Sequence, residues 1–129
     1  MALTVDPSNP IAATMEAYYL YLKRDPRFFD KARKAVNENP RDFFTLGQLG
    51  QAVSWAGEWK EGGVLVDRAI AVSPRPPGWV CLPISHRAFL DRDYRKGLEF
   101  GLKVDMSGWY WHHVAVAPNY ARLGMKKEA

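Results

Sequence analysis

The feature that most constrains this fold is a spacing. From Asn39 to Pro74 the chain reads NPRDFFTLGQLGQAVSWAGEWKEGGVLVDRAIAVSP, a stretch with the pattern of a helix, a turn and a second helix. Pro40 and Pro74 stand in similar Asn/Ser-Pro turns 34 residues apart, and a comparable turn at Asp6-Pro7 precedes the first by 33. A period near 34 built from paired helices marks a solenoid, because one such pair cannot bury its apolar face alone and covers it against its neighbours. An array of this kind usually presents a surface rather than a reaction centre.

Apolar periodicity predicts about seven helices. The first runs over roughly 11–23, with Ala13, Ala17, Leu20 and Tyr21 on one side, and stops at Asp25-Pro26, since proline disfavours helix in the residue before it. The second covers 27–37 with Phe28, Ala32, Ala35 and Val36 inward. The third covers 42–55, where Leu46, Leu49, Gly50 and Val53 form a stripe and Gly57 suits the left-handed residue beyond the helix end. In the fourth, 60–72, Val64, Leu65, Ala69 and the stem of Arg68 are expected on the inner side. A fifth helix is expected over 79–90 with Pro83 near its first turn, a sixth over 94–104 and a seventh over 109–123. Pro118 lies inside the seventh, where it removes a hydrogen bond and predicts a kink. No segment alternates like a strand, so the fold class is all-α, with antiparallel helix pairs joined by short loops.

Composition bounds the function classes. A chain of 129 residues, 47% hydrophobic and 25% charged, suits one domain with a real core. The net charge of +4 is mild. The densest basic run, Lys23, Arg24, Arg27, Lys31, Arg33 and Lys34, is interleaved with Asp25 and Asp30, which reads as a solvated helix face rather than a phosphate-binding stripe. The single cysteine, Cys81, excludes an internal disulfide and a multi-cysteine zinc site, and its neighbours Val80 and Leu82 suggest a buried thiol. The N-terminal residues lack the pattern of a signal peptide, and no run approaches the roughly 20 apolar residues that span a bilayer. A cytoplasmic protein is the expectation.

The residues of the central unit resemble the tetratricopeptide repeat. Leu46 stands at its first large position, Leu49-Gly50 at its Leu-Gly step, Val53 at the following aromatic, Gly57-Glu58-Trp59 at its Gly-x-aromatic turn, Gly62 and Ala69 at its small positions, and Pro74 at its close. The next unit has Arg92-Asp93-Tyr94 at the turn, Gly97 at the small position and Val104 for the second Ala; the first has Asp25-Pro26-Arg27 at its turn. The resemblance implies a right-handed α-α superhelix with units near 8–40, 41–74 and 75–108 and a partial unit at 109–129. More narrowly, Gln48–Trp59, Pro74–Trp79, Arg92–Tyr94 and Lys103–Trp111 look like the C-terminal repeats of bacterial proteins that carry an adenylate/guanylate cyclase domain or, in some, a winged-helix DNA-binding domain. This implies a piece of a larger protein. Residues 2–7 would be the tail of an earlier helix, and 124–129 the start of a cut repeat whose exposed last helix could support a homodimer.

Chemistry-bearing groups offer little for catalysis. His112-His113 point about 100° apart on a helix and make poor joint ligands; one should pack inward and the other face solvent. Asp91 and Asp93 fit an interhelical turn, Ser85-His86 has no third triad member, and the Gly62-Gly63 pair lacks a phosphate loop's Lys-Ser/Thr. No metal, cofactor or enzymatic activity is therefore expected of this chain. The family's concave groove, carried over by spacing, selects Phe44, Gly47, Gln51 and Ser54, then Trp79, Leu82, His86 and Phe89, then Trp111, Val114 and Ala121 with Pro118 between them. Such a surface implies an apolar peptide, a protein or another domain of a parent chain as partner. A nucleic-acid-associated role, suggested by the charge and the winged-helix relatives, is the alternative.

Overall fold

A computed structural model describes residue 6, residues 8–106 and residues 108–129. Among the described residues the chain forms seven α-helices and no strand: α1 (Pro10–Leu22), α2 (Phe28–Glu38), α3 (Phe43–Trp55), α4 (Trp59–Val72), α5 (Leu82–Leu90), α6 (Tyr94–Leu102) and α7 (Tyr110–Arg122), with a 3-10 turn at Gly78–Cys81. The chain divides at Pro74 into two compact units, Met1–Pro74 and Arg75–Ala129. The expectation of an earlier helix at 2–7 falls, apart from Asp6, outside the described residues, as does Ser107 of the loop before α7.

In the first unit the helix starts are set by capping. The Asn9 side chain accepts from the Ile11 N–H at 2.9 Å, with Pro10 in the first turn, and the Asp42 carboxylate accepts from the Thr45 N–H at 2.7 Å. Each helix packs on the next, and α1 also packs on α3. The core takes Phe28, Ala32, Ala35 and Val36 from α2 and Leu46, Leu49, Gly50 and Val53 from α3, as the periodicity predicts. From α1 it takes Thr14 and Ala17, with the expected Ala13, Leu20 and Tyr21 half-buried. The hydroxyls of Thr14 and Thr45 meet at 2.9 Å in the interior, one donating to the other, so neither buried oxygen is without a partner.

On α4 the inner face differs from the expectation. Val64 is 54% exposed, whereas Gly62, Leu65, Val66 and Ala69 are buried. These four lie at i, i+3, i+4 and i+7, and Val64 falls opposite them on a 3.6-residue helix. Gly62 chooses the face. A Cβ there would lie 2.5 Å from the Ser54 nitrogen and 2.6 Å from the Gly50 carbonyl oxygen, so only glycine lets α4 approach α3 this closely. The Arg68 stem is half-buried, and its guanidinium donates to the Pro40 carbonyl at 2.8 Å.

The second unit packs α5, α6 and α7 against one another. The fifth helix begins later than the periodicity suggests: residues 78–81 tighten into a 3-10 turn, and Pro83 sits in the first turn of α5, where its missing N–H disrupts no intrahelical bond. Close approach again relies on glycine. A Cβ on Gly97 would lie 2.8 Å from Asn119 Cγ, and one on Gly101 would lie 2.9 Å from the Ala115 carbonyl oxygen. The buried Ser85 hydroxyl donates to the Gly97 carbonyl at 2.7 Å, and Asn119 Nδ2 donates to the Ala115 carbonyl at 2.8 Å. Cys81 is buried, and burial pushes its thiol pKa up.

One turn geometry recurs four times. After α1, α3, α5 and α7, residues Arg24, Gly57, Arg92 and Gly124 adopt φ of 54°, 108°, 61° and 76°. The next N–H reaches back to a carbonyl five residues earlier: Asp25 to Leu20 at 2.9 Å, Glu58 to Val53 at 3.1 Å, Asp93 to Ala88 at 2.9 Å and Met125 to Tyr120 at 3.0 Å. This is the Schellman cap, which satisfies carbonyls left open at a helix end. Glycine is the low-cost occupant of the left-handed position; arginine there carries strain of about 1–2 kcal/mol.

The adjacent glycines of α4 should respond oppositely to substitution. Gly62→Ala should destabilise the chain by about 1–3 kcal/mol, because α3 and α4 must separate. A Cβ on Gly63 would meet nothing within 4 Å, so Gly63→Ala should gain about 0.5–1 kcal/mol from helix propensity alone. Urea denaturation of both variants measures the two signs.

Candidate functional site

The expected groove residues fall in both units. In the first, Phe44 and Gln51 are half-buried on α3, while Gly47 and Ser54 are buried. The Ser54 hydroxyl donates to the Gly50 carbonyl at 2.8 Å, which removes it from any surface. In the second unit Trp79, His86, Phe89 and Trp111 are half-buried, Leu82 is buried, and Val114, Pro118 and Ala121 are at least partly exposed. The Phe89 ring packs 5.5 Å from that of Tyr94, across the α5–α6 hairpin, and the Trp111 ring lies 4.6 Å from Tyr110. Gly47, Ser54 and Leu82 are thus interior groups rather than lining, because family spacing locates a helix face without measuring how far neighbours cover it.

The chemistry-bearing groups have structural partners. Asp93 caps α6 by accepting from the Lys96 N–H, and Asp91 pairs with Arg87 at 2.8 Å. His112 is half-buried with Nδ1 3.0 Å from the Val104 carbonyl oxygen, and His113 is exposed. Burial lowers the pKa of His86. Among the described residues no three His, Cys, Asp or Glu side chains gather as a metal site, and no helix is long and apolar enough to cross a membrane.

The larger surface feature was not expected. On α1, Ile11, Met15, Tyr19 and Leu22 are 57%, 42%, 58% and 64% exposed. Their spacing of i, i+4, i+8 and i+11 places them in one stripe along the outer side, with Ala17 opposite and Thr14 to one flank. The signal was present in the sequence, but α1 is apolar on both sides, and periodicity alone does not say which side is covered. A shorter apolar face lies on α7, where Tyr110 and Val114 are exposed one turn apart. Isolated apolar side chains on a surface are ordinary; a continuous stripe of large ones is a candidate interaction face.

The basic run beside this stripe is largely neutralised. Arg27 pairs with Asp25, Lys31 with Glu16, Arg33 with Glu61 and Asp30, and Lys34 with Glu38. Lys23 lies over the Tyr19 ring, 5.5 Å from its centroid. Charge committed to carboxylates in this way does not form the single-sign face that phosphate binding uses. No protein-family model matches this chain, and neither does any curated protein sequence.

Asp25 is the most strongly held of these carboxylates. Hydrogen bonds from the Arg27 side chain, then from its backbone N–H, lower the Asp25 pKa to about 2. The stabilisation is therefore fully present above the ordinary value of 3.8 and is lost as pH falls through about 2. Asp25→Asn should lower the urea midpoint at pH 7, and the difference from the native chain should shrink steadily between pH 4 and pH 2. A difference that stays constant with pH would mean that the ion pair contributes nothing.

Proposed function

We propose that this chain is a non-catalytic helical-repeat module that binds another polypeptide through the outer face of α1. The observation that carries the reading is the stripe of Ile11, Met15, Tyr19 and Leu22, four large apolar side chains left in contact with water along one helix. A helix that buries Thr14 and Ala17, half-buries Leu20 and Tyr21, and still carries a second stripe of large apolar residues outward is suited to be the middle layer between its own unit and something else. An apolar helix from a partner, or from another part of a longer parent chain, has the matching shape.

The recurring Schellman turns and the packing of consecutive helices within each unit support a tetratricopeptide-like architecture and its superhelical stacking. The likeness of four segments to cyclase-associated repeats extends the proposal to a regulatory or scaffolding role beside a bacterial cyclase domain. The ion-paired basic run favours a protein partner over nucleic acid.

Site-specific photo-crosslinking tests this directly. With a photoreactive phenylalanine analogue in place of Tyr19, the full-length protein in its native cells should form a discrete adduct, either with a second polypeptide or within a longer parent. The same analogue at Lys96, an exposed polar position on α6, should form none. Absence of any adduct at position 19 would show that the stripe faces water and would sink the reading.

A further inference from the structure

A cleft of about 730 Å³ opens beside the turn between α1 and α2, wholly within the first unit. Tyr21, Phe29 and Trp55 line it as half-buried rings, above the buried ring of Phe28. The rings of Tyr21 and Phe28 lie 5.5 Å apart and those of Phe28 and Phe29 5.1 Å apart, tilted against one another. The wall is therefore packed from behind rather than free to collapse into the space.

Two charged residues, Arg24 and Asp25, stand at its edge. The Asp25 carboxylate is already taken: Arg27 holds it with Nε and Nη2 at 3.0 and 2.6 Å. Among the described residues the Arg24 guanidinium makes no hydrogen bond and no ion pair. The surplus charge of the cleft is thus one guanidinium beside an aromatic wall. Arg24 also sits in the left-handed conformation where Gly57 and Gly124 stand in sister turns, so the turn itself does not ask for arginine.

We propose that this cleft binds a small aromatic carboxylate, its ring against Tyr21, Phe29 and Trp55 and its carboxylate on Arg24. The volume is in the range of small-ligand sites. Tilted aromatic walls accept a planar ring, and the guanidinium fork matches a carboxylate in two parallel hydrogen bonds. A neutral ring would leave the cation unused, an anion without a ring would leave the wall wet, and a cation would meet Arg24 with no open carboxylate to answer it.

Titration of the isotope-labelled chain with indole-3-acetate, followed by amide chemical shifts, tests the site. Shifts should centre on residues 21–29 and 55–56. The neutral amide, indole-3-acetamide, should bind about tenfold more weakly or worse, as expected for loss of a charge-assisted contact. Arg24→Gly suits the backbone and should keep the fold, yet bind the acid no better than the amide. Arg92→Gly removes the same charge and strain from the turn between α5 and α6 and should leave binding unchanged. Equal affinity for acid and amide, undiminished binding by Arg24→Gly, or equal losses in both glycine variants would overturn the proposal. So would shifts in these residues with the blocked dipeptide acetyl-Asp-Trp-amide but not with the free acid, which would assign the cleft to a peptide.

Discussion

Backbone meets backbone where α4 crosses α3, and the rest of the first unit is arranged around that contact. Gly62 has no room for a side chain against Ser54 and the Gly50 carbonyl, and Gly50 in turn lies against Leu65 and Val66. Reciprocal glycines bring two helices closer than Leu-on-Leu packing would allow. The Ser54 hydroxyl, closed onto the Gly50 carbonyl, fills the remaining space without leaving a donor open. Because α3 also carries the contacts of α1 and α2, its position relative to α4 sets theirs. The second unit uses the same device with different residues. Gly97 lies against Asn119 and Gly101 against the Ala115 carbonyl. Among the described residues Asn119 Oδ1 meets no hydrogen-bond donor, and it faces the Cα of Gly97, where a C–H···O contact is the available compensation.

The four Schellman turns show which level of the sequence specifies a helix end here. Their hydrogen bonds agree within a few tenths of an ångström, although the left-handed position holds glycine twice and arginine twice. Glycine would be needed at every one if the turn were set locally. Arginine persists at two, so the packing of paired helices imposes the reversal and the residue tolerates it. A residue motif that looks for Gly-x-aromatic finds one turn cleanly, whereas the backbone has built four.

This explains where sequence reasoning succeeded and where it failed. The inner faces of α2 and α3 followed from 3.6-residue spacing because each has one apolar side: Phe28 to Val36 and Leu46 to Val53 have no competing stripe. On α4 the run Gly-Gly-Val-Leu-Val offers two candidate faces, and hydrophobicity cannot choose between Val64 and Val66. The choice lies in Gly62, whose value is the absence of a side chain. On α1 the predicted inner side holds in outline, with Ala17 buried and Ala13, Leu20 and Tyr21 half-buried, but the helix carries a second apolar stripe, and its closest contact with α3, at Thr14 and Thr45, is made by small groups. The groove residues were placed by family spacing, which located their helices but not their cover, and so Ser54 and Leu82 turned out interior. The cleft by Arg24 carries no linear motif; it arises from a turn, two helix ends and a ring from α3 that are far apart in sequence.

The orientation of α1 leaves apolar surface uncovered. Placing Thr14 and Ala17 inward sacrifices buried area, which at roughly 25 cal/mol per Å² is the main favourable term in folding. Turning α1 by about a third of a revolution would bury Ile11, Met15, Tyr19 and Leu22 instead, but it would break the Thr14–Thr45 hydrogen bond and force α1 away from α3. The observed orientation keeps the close contact and leaves the large residues outside. Their hydrophobic free energy is then still unrealised in the isolated chain and becomes available when another apolar surface covers the stripe. A helix built this way stabilises its own unit through close packing and leaves a stripe of large apolar side chains in water.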